Sequence, residues 1–264
     1  MDWLVDVYCA IEERMVGEKV RCLDETGLRV AGKLGWLHTT STPAYTFYRV
    51  GEPRSAVPEG LKGGVVVHDH FRPYNKMKDV EHAVCNAHLL RELKAVVELD
   101  NEPWATAMFD TLSQANDAVR RAKQSGACAL DASTIKGFEE RYWEAVREGY
   151  AYHLSLPALA ASRKGAGCQK KRPGYNLLVR LKEYKNETLR FLTDFDVPFT
   201  NNVAEQDLRM MKVKIKISGC FRTPEGAADF AHLRSVISSA RKQGLNILQI
   251  LAAPPDRVRL ALRI

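Results

Sequence analysis

Between Trp3 and Met15 the apolar positions Leu4, Val7, Tyr8 and Ile11 recur at helical spacing, with acids on the other face. This predicts an amphipathic helix, closed by Gly17. From Lys19 to Asp24 the pattern changes to alternation, Val20 and Cys22 against Arg21, and predicts a strand followed by Thr26-Gly27. Gly35 to Ser41 and Ala44 to Val50 are two further β runs rich in Trp, Thr, Tyr and Phe, joined by a tight turn at Thr42-Pro43. Gly63-Gly64 leads into Val65-Val66-Val67, too short and too β-branched for a helix and apolar enough for a buried strand. Val80 to Val84 reads as another short strand before a helix from Asn86 to Leu99.

Beyond that point the period is helical. From Glu102 to Phe191 the pattern predicts helices, with breaks at Ser125-Gly126, Gly149, Pro157 and Arg172-Pro173-Gly174. The final third predicts helices over Asn202 to Met211, Glu225 to Gln243 with Gly244 as its cap, and Ile247 to Ala252. Pro254-Pro255 is expected to stop regular structure. Strands first and helices afterwards imply an α/β fold, a mixed sheet with a long all-helical insertion and C-terminal helices.

Composition narrows the partners. The 264 residues carry a net charge of +7 and a pI near 9.1, a modest excess that favours a polyanion. Its distribution says more: Arg209, Lys212, Lys214, Lys216 and Arg222 fall in one short span offset only by Asp207. No apolar run approaches the roughly 20 residues that cross a bilayer. The acidic start, Asp2 and Asp6, is unlike a signal peptide. A cytoplasmic protein with no membrane partner is expected, nucleoid-associated when bound to DNA. The six cysteines have no paired spacing, so reduced thiols are expected.

Three carboxylates stand out. Asp24 and Asp69 each end an apolar, β-branched run, and Glu205 opens the basic helix. Two strand-end aspartates and a helical glutamate can hold two divalent cations for in-line phosphoryl displacement. Oxygen-only ligands suit Mg²⁺ or Mn²⁺ and argue against zinc. Each acid also has a plainer account. Asp24 and Asp69 could start turns before Gly27 and Pro73, and Glu205 could complete a capping box with Asn202 or pair with Arg209. It is the joint arrangement that points to chemistry. His68 and His70 flank Asp69 and on a strand point to the opposite face, so the three do not share one ion. Cys85 and His88 have metal-ligand types on one helical face, but no second pair of suitable spacing appears, and packing and capping are the default. Lys212, Lys214 and Lys216 alternate with Val213, Ile215 and Ile217, which sets the lysines on one face if the segment is extended. A basic stretch, Arg163-Lys164 with Lys170-Lys171-Arg172 around Gly165 and Gly167, lacks the ending of a phosphate loop; DNA-backbone contact and plain solvated charge remain open there. No nucleophile elbow is present.

Taken together, Leu23-Asp24-Glu25-Thr26, Val66-Val67-His68-Asp69 with Tyr74, Cys85-Asn86-Ala87-His88-Leu89-Leu90-Arg91 and above all Pro198 through Arg209 resemble the insertion-sequence-66 family of bacterial transposases. The resemblance continues through Lys212-Val213-Lys214 and Ser218 to Thr223, then Ser239 to Gly244, and spans about residues 1 to 250. It implies a ribonuclease-H-like nuclease with a DDE triad, in which Asp24 and Asp69 are the aspartates and Glu205 the glutamate. Residues 1–100 and 196–253 would form the catalytic core, 101–195 the helical insertion and 254–264 a tail. The implied activity is metal-dependent DNA cleavage and strand transfer with two Mg²⁺ or Mn²⁺, on transposon ends and target DNA. Arg209, Lys212, Lys214, Lys216 and Arg222 would contact the DNA. Accessory proteins of the same element and a homo-oligomer on DNA are the implied partners. Relatives carry a DNA-binding portion ahead of this region, where this chain has one helix, so a truncated product is expected. A DNA-binding remnant without activity, or a nuclease without strand transfer, are the alternatives.

Overall fold

The computed structural model describes residues 2–58, 60–157, 159 and 171–264. Arg163, Lys164, Gly165, Gly167, Cys168 and Lys170 lie outside the described residues. The chain divides into two units, Met1–His82 with Asn201–Ile264, and Ala83–Thr200.

The first unit is built on a five-stranded mixed sheet in the order β3-β2-β1-β4-β5. β1 (Val20–Val30), β2 (Lys33–Ser41) and β3 (Thr46–Val50) form an antiparallel meander; β4 (Val65–His68) runs parallel to β1, and β5 (Glu81–Val84) closes the far edge. β1 is longer than its alternation suggests. It runs through Thr26-Gly27 because Gly27 pairs with Trp36 of β2, and it turns only at Ala31 and Gly32, both at positive φ (48° and 76°). Two consecutive positive-φ residues give the hairpin turn whose twist matches the strands.

Helices complete this unit's core around the β3 side. α1 (Asp2–Val16) buries Leu4, Val7, Ile11 and Met15 with Tyr45 and Phe47, with Val236 and Ala240 of α8 (Pro224–Lys242), and with Val258 and Leu262 of α10 (Pro255–Leu262). Ser239 and Ser235, one turn apart on α8, accept the N–H groups of Thr46 and Tyr48 at 3.0 Å each. The open edge of β3 is thus satisfied by side chains, which removes a template for pairing with another strand. Pro255 is the first residue of α10, so the prolines that were expected to end regular structure start a helix instead. A proline loses nothing at that position, where its missing N–H has no partner to bond. α9 (Ile247–Ala252) precedes it.

On the β1–β4 side, Arg21 is fully buried and donates to the carbonyls of Val16, at 2.9 Å, and Gly63. Gly64 follows at φ +64°, where an added Cβ would stand 2.6 Å from the Lys19 carbonyl oxygen. That close approach lets Val65 N–H reach Lys19 at 2.8 Å and start the parallel ladder.

The second unit is helical: α2 (Asn86–Asp100), α3 (Pro103–Gln124), α4 (Ala132–Ser155), α5 (Pro173–Glu183) and α6 (Lys185–Thr193). Leu89, Leu93, Trp104, Met108, Leu112, Tyr142, Leu178 and Leu181 are among its buried apolar side chains. Gly149 does not break α4; it lies inside it, where a Cβ would fall 2.6 Å from Leu178 and 2.9 Å from Trp104. The glycine serves helix packing. Glu102, buried, accepts from the Trp104 indole and sits 3.1 Å from His153 Nε2.

Candidate active site

The parallel register of β1 on β4 aligns Val20 with Val65, Arg21 with Val66 and Cys22 with Val67. Carried two residues further, the same register sets Asp24 beside Asp69. Alternation puts Asp24 on the face of Cys22 and Leu28, and turns Arg21, Leu23 and Glu25 to the other. Asp24 therefore lies within β1 and not at its end, as the sequence pattern suggested; Asp69 does directly follow its strand. Asp24 Oδ1 accepts the Glu25 N–H at 2.8 Å, and Asp69 Oδ1 accepts the Phe71 N–H at 2.9 Å. Burial pushes the Asp24 carboxyl up to about 7; the charges of Glu25 and Asp69 add to that rise, while the Glu25 N–H and Lys212 oppose it. Two carboxylates brought together and partly desolvated resist joint ionisation.

The opposite face of the sheet holds these strands in place. Glu25 accepts from the Tyr74 hydroxyl at 2.8 Å and pairs with Arg54 at 3.2 Å, while the Arg54 guanidinium lies over the rings of Trp36 and Phe71. His68, fully buried, contacts the Asp69 carbonyl through Nδ1 and His82 Nδ1 through Nε2 at 2.9 Å; His82 Nε2 donates to Met77 at 2.8 Å. Burial pushes His68 down to about 4, so a neutral ring braces the strand from behind.

α7 (Asn202–Ser218) carries the third acid. Asn201, buried, donates from Nδ2 to the Leu23 carbonyl at 2.6 Å, one residue before Asp24. Its side chain reaches β1 and makes no cap bond to the first turn of α7. Leu208 and Met211 pack with Leu28 and Leu37, which places α7 on the face that bears Asp24. Glu205 stands in the first turn, and its N–H bonds the Asn201 carbonyl at 3.2 Å.

The lysine segment is helical, not extended, since α7 continues to Ser218. Its period-two alternation is overridden because Leu208, Met211 and Ile215 supply a helical apolar face, while Ile217, buried in an extended reading, is 80% exposed. The helix redistributes the cations. Arg209, Lys212 and Lys216 follow Glu205 at four, seven and eleven residues and share its face. Lys214 falls on the other side and lies over the Phe221 ring at 4.5 Å. Arg222 follows Phe221, which bonds Arg29 and Ala31 at the hairpin end of β1, away from Asp24.

One element was missed from the sequence. Asp207 Oδ2 accepts from Ser41 at 2.6 Å, Thr46 at 2.9 Å and Lys242 at 2.6 Å, and Lys242 also donates to the carbonyls of Thr42 and Tyr45. Both side chains are largely buried, 12% and 16% exposed, and burial pulls Lys242 below the ordinary lysine range against the pull of Asp207. The pair fixes the rotation of α7, because Asp207 points away from the Glu205 stripe. Cys85 heads α2 in the second unit and is buried; its carbonyl accepts the His88 N–H at 3.2 Å.

Two adjacent aspartates of a mixed sheet, crossed on the same face by a helix bearing a carboxylate and a line of cations, form the candidate site, whose oxygen donors could hold a divalent cation. Residues 1–229 match the Transposase IS66 family, and the chain belongs to that family. It is also 33% identical over 110 residues to an uncharacterized protein, y4jO, of Sinorhizobium fredii (strain NBRC 101917 / NGR234). That stretch covers 39% of this chain and 33% of the relative, so the match spans about a third of the relative's length. No solved structure shows a significant match. Among the described residues no helix is long and apolar enough to cross a membrane.

The raised Asp24 pKa has a measurable sign. In the unfolded chain this carboxyl ionises near its ordinary value of 3.8, in the native one near 7. Between those values the native state binds more protons, so stability falls as pH rises through that window. The Asp24→Asn protein should lose this decline and be the more stable of the two above pH 7 in metal-free buffer. Urea midpoints measured across the window check it, and an unaltered slope in the variant contradicts the coupling.

Proposed function

We propose that this chain is the catalytic region of a DDE transposase, cutting and joining DNA with two Mg²⁺ or Mn²⁺ held by Asp24, Asp69 and Glu205. The observation that carries this is the β1–β4 register, which sets Asp24 beside Asp69 under a helix whose first turn bears Glu205. A sheet of antiparallel strands joined by a parallel fourth, with one acid within β1 and another directly after the neighbouring β4, supports the ribonuclease-H-like reading. Membership in a transposase family supports DNA as the partner. Accessory proteins of the element and self-association on DNA belong to the same reading.

The donor set fits such ions. All three groups are carboxylates, and the burial that pushes Asp24 up to about 7, with the charges of Glu25 and Asp69 adding to it, is a cost that a bound cation would offset. When bound, two such ions supply activation of the attacking oxygen and stabilisation of the leaving one. The chain's own residues do the rest. Asp24 must release its proton to act as a ligand, so activity should rise with pH toward neutrality. Lys212 already offsets part of the charge on Asp24. Arg209, Lys212 and Lys216 present a single cationic line beside Glu205 for the phosphates of the substrate, while Lys214, turned toward Phe221, and Arg222, at the hairpin end, contribute less than their sequence proximity implies.

Asp69→Asn should reduce Mg²⁺-dependent nicking of supercoiled plasmid to background while the fold and duplex affinity persist, since one ligand charge is lost and no packing. Nicking at wild-type rate would move the chemistry elsewhere; joining of a labelled transposon end then separates strand transfer from plain hydrolysis. Replacing Arg209, Lys212 and Lys216 together by alanine should lower the slope of log affinity against log salt by about 2.7, roughly 0.9 per contact, whereas Lys214→Ala should leave it nearly unchanged. Equal effects of all four would restore the extended reading.

A further inference from the structure

The helical unit contains a groove that the reaction above does not use. It runs between α3 and the segment that follows α6, and is lined by Asn116, Val119, Arg120, Lys123, Gln124, Phe191, Val197 and Phe199. Its volume is about 380 Å³, within the size range of small-ligand sites. Its floor is aromatic: Phe191 and Phe199 meet edge to face with centroids 4.8 Å apart. Phe191 is buried, whereas Phe199 is half-buried and keeps ring surface toward the opening. On the rim, Lys123 lies over the Phe195 ring at 5.6 Å, and Arg120 pairs with Asp117, the two side chains 67% and 50% exposed. Asn116 and Gln124 place two amides on the same wall.

We infer that this groove binds unpaired nucleotides of single-stranded DNA, a base stacked on Phe199 with its phosphates on Arg120 and Lys123. Each part of the lining has a counterpart in such a ligand. A flat aromatic floor accepts any base, exposed cations on the rim accept the backbone, and amides can both donate to and accept from a base edge. An apolar peptide would leave the rim cations unanswered, and a duplex offers no free base face to the floor. The inference deepens the transposase reading and rests on it, since strand cleavage is what makes unpaired ends available. The chain passes from Phe199 through Thr200 to Asn201, the residue bonded to Leu23, so groove and acid-bearing helix are consecutive in sequence.

The test uses the full chain with a short oligothymidylate containing one 2-aminopurine, and a duplex of equal length as control. Wild type should quench the 2-aminopurine on binding. Phe199→Leu should abolish the quench and weaken single-strand binding about tenfold, with duplex affinity unchanged. Arg120→Ala and Lys123→Ala, at exposed positions that do not threaten folding, should each lower the single-strand salt slope by about 0.7. Duplex binding with no single-strand binding, or single-strand binding indifferent to all three substitutions, overturns the groove assignment and leaves the transposase reading standing. Binding of neither DNA overturns both.

Discussion

The parallel ladder between β1 and β4 is the constraint on which the site depends. Its register is set by a few groups that leave little freedom. Buried Arg21 ties Val16 to Gly63, and Gly64 takes a left-handed conformation that lets Val65 bond Lys19. A slip of one residue would send every β4 side chain to the other face and part Asp69 from Asp24. The same slip would take Val66 out of its packing with Leu23 and Tyr74 behind the sheet.

The helix with the third acid is positioned by two contacts of different kinds. Asn201 spends its amide on the Leu23 carbonyl and so fixes where α7 starts. The buried Asp207–Lys242 pair, saturated by Ser41 and Thr46 hydroxyls and two carbonyls, fixes how α7 is turned. A buried ion pair adds little net stability but penalises every arrangement that leaves one partner alone. Here that penalty would set the direction in which the face shared by Glu205, Arg209, Lys212 and Lys216 is turned. Stability and orientation are divided: Leu208 and Met211 supply the burial, and Asp207 the angle.

Much of this was legible beforehand. The order of strands and helices, the buried strand ending at Asp69 and the helix at Glu205 follow from period and turn residues, because burial on one side writes itself into alternation. The failures share a cause, which is tertiary contact overriding local signal. Gly27 looks like an end but pairs with Trp36; Gly149 looks like a break but fits against Leu178 and Trp104. Lys212 to Ile217 alternates as a strand would, yet Leu208, Met211 and Ile215 hold the segment to a helix. The Asp207–Lys242 pair joins residues with no local relation, and no spacing rule could have announced it. Asn201 illustrates a subtler limit: its type suits a helix cap, and only the fold shows the side chain spent on another strand.

The central claim, that Asp24, Asp69 and Glu205 act as one cation-binding set, is tested most directly by calorimetric titration with Mn²⁺ in buffers of different ionisation enthalpy. The account predicts two bound ions near neutral pH, with a fraction of a proton released from Asp24 on binding, and loss of at least one ion in each of Asp24→Asn, Asp69→Asn and Glu205→Gln. Mn²⁺ binding that is unchanged by all three substitutions would contradict it.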